Sequence, residues 1–130
     1  MNKIRMIALA ACMAATLDAA AQEQEIRLFS HRGGRMEHDE NTLSAFQASY
    51  DAGYRGFETD IRMTRDGALV ITHDSSLERT TDGTGTVEEK TEAEIRRLRT
   101  KQGNKVLFLD ELLEFLEGKQ LPGITCLNDK

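Results

Sequence analysis

Apolar positions along this chain follow two rhythms. Short apolar runs at Ile26 to Phe29, Gly56 to Arg62, Ala68 to Thr72 and from Ile124 read as strands. Between them the spacing switches to that of a helix. Leu43, Phe46 and Tyr50 repeat at i, i+3, i+7 and predict a helix over Thr42 to Ala52, with Asn41 or Thr42 as its cap and Gly53 as its stop. Thr91-Glu92-Ala93-Glu94 is a capping box, which predicts a helix through Leu98. Asp110 to Glu117 is a third, with Leu112, Leu113 and Leu116 on one face and Gly118 after it. The alternation is that of an α/β domain.

The link between the second and third strands breaks the alternation, because Arg65-Asp66-Gly67 is a turn, and local signals alone describe a hairpin. A hairpin conflicts with an all-parallel sheet, whose neighbours need a crossover of a dozen or more residues.

Polar residues gather where the strands end. His31-Arg32-Gly33-Gly34 follows the first run, Glu58 and Asp60 lie two residues apart in the second, and His73-Asp74 follows the third. Carboxylates at i, i+2 on a strand point to one face, so Glu58 and Asp60 can share a hard cation. Two histidines flanking that cation suit general acid and general base work near neutral pH. Taken singly, a histidine at a strand end is as ordinary as any hydrogen-bonded loop residue. Carboxylates on a strand buried on both faces are less ordinary, since they need a partner. His38 reads as a surface residue.

Together HRGG (31–34), ENTLSAF (40–46), GYRGFETDIRMTRDGALVITHD (53–74) and LERTTDGTGTV (77–87) closely resemble the amino-terminal half of glycerophosphodiester phosphodiesterases. The resemblance implies a TIM-type (β/α)8 barrel, and between the second and third strands an irregular return instead of a helix. Such a barrel takes about 250 residues, and this chain has 130. It is therefore expected to supply an incomplete barrel, as a piece of a longer protein or as a truncated product.

The resemblance also implies roles. His31 and His73 match the catalytic pair, and Arg32 offers a planar cationic fork to phosphate oxygens. Glu58 and Asp60 match ligands for a divalent cation, Ca2+ or Mg2+. Glu40 and Asn41 match a motif whose acid approaches the metal or holds the loop. A third metal carboxylate is expected two residues before a lysine; here Asp129 directly precedes Lys130, so Asp129 is either that ligand through a local irregularity or the ligand is lost. Where the family usually has proline before the motif at 40–46, this chain has Asp39, which is expected to loosen the loop without touching the chemistry. The implied reaction is hydrolysis of a small-molecule glycerophosphodiester to glycerol 3-phosphate and an alcohol. Alternatives are a related phosphodiesterase acting on a lysolipid or glycerophosphoryl polymer, and an inactive remnant that only binds metal or phosphate.

The leader and charge complete the picture. Lys3 and Arg5, the apolar stretch Met6 to Leu17 and Ala19-Ala20-Ala21 make residues 1–21 a secretory signal peptide, with 22–130 as the single domain and a periplasmic or secreted destination. Leu9-Ala10-Ala11-Cys12 also fits a lipoprotein box anchored through Cys12. No segment is long enough to span a membrane. Removing Lys3, Arg5 and Asp18 from 17 basic and 22 acidic residues leaves 15 against 21, a formal charge of −6, which argues against nucleic acid as a partner. Cys126 then has no intramolecular partner and reads as a small buried hydrophobe.

Overall fold

Thr42 opens the first helix. Its backbone is extended and its hydroxyl accepts from the Ala45 N–H at 3.3 Å, satisfying one of the free donors of the first turn. In the computed structural model, which describes residues 27–119, 121 and 123–127, the helix that follows, α1, spans Leu43–Asp51. Ala45, Phe46 and Ser49 are its buried residues, while Leu43 is 42% exposed. The inward stripe thus runs through Phe46 but is displaced from the predicted one, because Ala45 and Ser49 let the helix approach the loop at Gly33. Gly53, at φ +98, turns the chain out of the helix as expected.

Three strands run parallel. β1 is Phe29–His31, β2 is Gly56–Met63 and β4 is Gly123–Leu127, with β3, Leu69–Ile71, between the last two in sequence. β2 is central: Phe29 to His31 pair with Gly56 to Glu58, and Gly123 to Leu127 pair with Gly56 to Asp60. β1 starts later than the predicted run, so His31 ends the strand itself.

β2 then outruns its parallel neighbours. From Ile61 to Met63 it pairs antiparallel with Ile71 to Leu69, and the turn is closed by Thr64, whose hydroxyl accepts from the Ala68 N–H at 2.8 Å. The hairpin read from local signals is what forms: the return is made without a helix, as the resemblance implied, but it is a regular antiparallel pair and not an irregular one. The conflict with a parallel sheet dissolves because one strand is long enough to do both jobs in succession.

α2, Glu92–Arg96, carries the predicted capping box, with Thr91 and Glu94 bonded reciprocally, although it ends before Leu98. α3, Leu109–Leu116, buries Leu112 and Leu116 but leaves Leu113 54% exposed, so the predicted three-leucine face is a two-leucine face. β3 is the seam between two cores. Ile71 packs with Phe46, Phe57, Leu107, Leu112 and Leu116, whereas Val70 faces Leu77, Val87, Ile95, Val106 and Phe108. Phe46 and Phe57 meet edge to face at 5.6 Å and fix α1 on β2.

Candidate active site

Phe57 and Thr59 point into the packed side of β2, so Glu58 and Asp60 must face the other way. Their side chains are 12% and 15% exposed. They help line an open cavity of about 910 Å³, whose walls include His31 and Arg32 from the end of β1, Ile61 to Met63 and Leu69 from the hairpin, and His73 beyond β3. Five predicted residues, His31, Arg32, Glu58, Asp60 and His73, therefore share one space at the C-terminal ends of the strands, where barrel enzymes place their chemistry.

Arg32 is held in the left-handed region, at φ +52. Its backbone N–H donates to the Glu58 carbonyl at 3.0 Å, and its own carbonyl accepts from Asn41 at 2.9 Å. The guanidinium is buried between two carboxylates, with Nη1 3.4 Å from Glu40 Oε1 and Nε 3.1 Å from Asp60 Oδ2. The Nε contact is one of charge, since its N–H is not aimed at Asp60. Among the described residues Arg32 Nε is the buried side-chain polar atom left with no hydrogen-bond partner, a donor waiting for an acceptor.

Glu40 and Asn41 stand behind the cavity wall. Asn41 does not cap α1, a task Thr42 performs; its Oδ1 accepts from the Thr59 hydroxyl at 3.0 Å and its Nδ2 reaches Asp60 Oδ2 at 3.5 Å. Glu40 accepts from Arg79 Nη1 at 3.1 Å and Nη2 at 2.7 Å. Hydrogen bonds from Arg79, helped by the charges of Arg79, Arg32 and Arg35, hold its carboxyl below the usual range against the opposing effect of burial. The contacts of Glu40 are with Arg79 and Arg32.

Asp39 does the opposite of what its substitution for proline suggested. Its carboxylate accepts from the Thr100 hydroxyl and from Asn104 Nδ2 at 2.7 Å, and its carbonyl accepts from the Thr42 hydroxyl at 2.7 Å. The loop is tied down, not loosened.

His31 Nε2 lies 3.6 Å from Glu58 Oε2, and His73 Nδ1 lies 2.7 Å from Asp74 Oδ1. Hydrogen bonding from Arg79 is the main cause that pulls the Asp74 carboxyl down to about 2, His73 assisting, against the effect of burial. An ionised carboxylate can only accept, so His73 Nδ1 carries the proton of that bond. Sequence reasoning gave Arg79 and Asp74 no role. Their signal was present, as an acid directly after His73 and an arginine five residues on.

Glu58 and Asp60 fit a hard divalent cation in donor type and in facing, and their burial favours a positive partner. They are two ligands, and among the described residues no three or more His, Cys, Asp or Glu side chains gather around one point. Asp129, the predicted third ligand, lies outside the described residues, as do residues 1–21. His38 is exposed, as expected. Among the described residues no helix is long and apolar enough to cross a membrane.

Parallel strands with a histidine, arginine and carboxylate rim at their C-terminal ends define a piece of a barrel enzyme fold. A sequence model of the glycerophosphoryl diester phosphodiesterase family matches residues 31–129, and the chain belongs to that family. The crystal structure of a glycerophosphodiester phosphodiesterase from Agrobacterium tumefaciens is similar, at 33% identity and a TM-score of 0.74, over 80% of this chain and 47% of that one. So is an Oleispira antarctica phosphodiesterase in complex with the product sn-glycerol-3-phosphate, at 28% identity and a TM-score of 0.74, over 80% of this chain and 44% of that one. A glycerophosphodiester phosphodiesterase of Caldanaerobacter subterraneus is 41% identical over 71 residues, which are 55% of this chain and 29% of the relative. The chain spans less than half the length of these proteins. Its fold is a TIM-type (β/α)8 barrel, incomplete in these 130 residues.

Proposed function

We propose that this chain carries the metal-facing and phosphate-facing part of a glycerophosphodiester phosphodiesterase, which hydrolyses a glycerophosphodiester to glycerol 3-phosphate and an alcohol. The observation that supports it most is the convergence of His31 and His73, from separate strands, on a cavity shared with Arg32, Glu58 and Asp60.

Phosphodiesters resist attack because their charge repels nucleophiles and their alkoxides leave poorly. Arg32, on the cavity wall, meets the charge with a planar cationic fork. Glu58 and Asp60 would hold a Ca2+ or Mg2+ ion, which supplies charge neutralisation at the phosphate when bound. One histidine takes the proton of the substrate's glycerol hydroxyl as that oxygen bonds to phosphorus. The other gives a proton to the departing alkoxide as its bond to phosphorus breaks, leaving a cyclic phosphate. Water then opens the ring with the roles reversed: it loses a proton to the second histidine, and the ring oxygen regains one from the first. The reading of residues 1–21 as a leader places the protein in the periplasm or outside the cell, or anchored through Cys12.

Ile61, Met63 and Leu69 on the hairpin wall of the same cavity favour a second reading, in which the glycerol carries an acyl chain and the substrate is a lysolipid. Release of choline from glycerophosphocholine separates the first reading from release of choline from lysophosphatidylcholine, whose other product is an acylglycerol phosphate. EDTA is expected to abolish turnover, and His31→Ala or His73→Ala to lower it by at least about 100-fold. Near-wild-type turnover in either variant would overturn the roles. No turnover of any glycerophosphodiester by the natively produced protein would leave a remnant that only binds metal or phosphate.

A further inference from the structure

His73 is the more precisely held of the two histidines, yet its side chain is 47% exposed. Packing alone does not fix a half-exposed imidazole, so its orientation has to come from hydrogen bonds. Asp74 supplies one to Nδ1 at 2.7 Å. Asp74 is itself 27% exposed and sits in the loop that leaves β3, which raises the question of what holds it.

Arg79 holds it. The guanidinium Nε donates to Asp74 Oδ2, while Nη1 and Nη2 donate to Glu40 at 3.1 and 2.7 Å. One flat cation thus spans two carboxylates from segments on either side of α1 and β2, using both edges of its fork. A lysine ammonium has the charge but not the two edges. The other charged groups near His73 act elsewhere: Arg62 donates from β2 to the His73 carbonyl at 2.8 Å, and Glu88, at 3.2 Å, takes up the rest of Arg62.

We propose that Arg79 is a positioning residue for His73. It grips the Asp74 carboxylate against Glu40, and the clamped carboxylate fixes the imidazole with Nδ1 protonated and Nε2 as the nitrogen that exchanges the proton. The assignment of Nε2 to proton transfer rests on the proposed phosphodiesterase reading, whereas the orientation of the ring does not.

Two readouts test it, each against the unmodified protein. In 15N-histidine NMR above the pH at which the ring titrates, His73 is expected as the Nδ1–H tautomer, and Arg79→Lys and Arg79→Gln are expected to show mixed tautomers. With glycerophosphocholine as substrate, both variants are expected to lose about 10-fold to 100-fold in kcat, part of the contribution that general acid–base catalysis supplies, with KM changed by no more than about threefold. If either variant fails to fold, Asp74→Asn, which keeps the side-chain shape, must reproduce the loss. An Nε2–H tautomer in the unmodified protein overturns the proposal. So does Arg79→Lys or Asp74→Asn with the wild-type tautomer and kcat. If the protein turns over no glycerophosphodiester, the phosphodiesterase reading fails alone and the tautomer still decides the role of Arg79.

Discussion

The Thr59 hydroxyl donates to Asn41 Oδ1 at 3.0 Å, and that bond turns the Asn41 amide nitrogen toward Asp60. Thr59 is fully buried on the packed side of β2, whereas Asp60 faces the cavity. Asn41, at φ +57, occupies a backbone region that asparagine tolerates better than most residues. Asn41→Ala leaves a buried hydroxyl without its acceptor and strains the backbone as well. A loss of about 1–3 kcal/mol in urea unfolding is expected, with Ca2+ or Mg2+ affinity reduced about 10-fold to 100-fold by calorimetry. Unchanged affinity would detach Asn41 from the cation reading.

Asp39 is tied to Thr100 and Asn104, more than sixty residues away in sequence. Asp39→Ala strips two donors of their shared acceptor and is expected to lower stability by about 1–3 kcal/mol. Asp39→Pro removes the same carboxylate and should be no milder. A proline variant as stable as the parent would show that a rigid backbone replaces the clamp.

Gly33 has φ +75, and a Cβ there would lie 2.8 Å from Ala45 Cβ and 3.0 Å from the Ala45 carbonyl carbon. Backbone cannot move aside as a flexible side chain can. Gly33→Ala is therefore expected to push the loop at 32–41 off α1, destabilising by about 1–3 kcal/mol and lowering kcat/KM through Arg32. The paired variant Ala45→Gly clears the nearer atom only, so rescue is expected to be partial.

Asp74 makes stability depend on acidity. Its folded-state pKa, about 2, lies below its ordinary value of 3.8, so the folded state favours the ionised form. That stabilisation is fully present above about pH 4 and is lost as pH falls toward 2. Because the pair is partly exposed and screened, its worth is about 1 kcal/mol. Unfolding midpoints of the parent and Asp74→Asn should differ at pH 7 and converge near pH 2. A constant gap across that range would mean that shape, not charge, holds the loop.

Much of the site was legible because it is written in short, local strings. His31, Arg32 and His73 follow apolar runs, Glu58 and Asp60 lie within one, and the period of two placed both carboxylates on one face. Less legible were the groups that hold them. Arg79 reaches Glu40 across 39 residues and Asp39 reaches Asn104 across 65, and no periodicity encodes such pairings. The hairpin shows the reverse error: Arg65-Asp66-Gly67 described its own turn correctly, and only the assumption that a strand has one kind of neighbour argued against it. Leu43 and Leu113 fell outside the core because helix period marks a face without saying how wide a stripe the neighbouring elements cover.

The change of partners along β2, between Asp60 and Ile61, divides the strand into two inheritances. Upstream, Glu58 is paired with both β1 and β4, and Asp60 with β4. Downstream, Ile61 to Met63 pair with Leu69 to Ile71, and the turn between them is tied to the start of α2, the Arg65 N–H donating to the Lys90 carbonyl at 2.8 Å. An insertion or a graft at that turn reshapes the hairpin wall of the cavity and leaves the carboxylates where they were. The wall can drift there while Glu58 and Asp60 stay still.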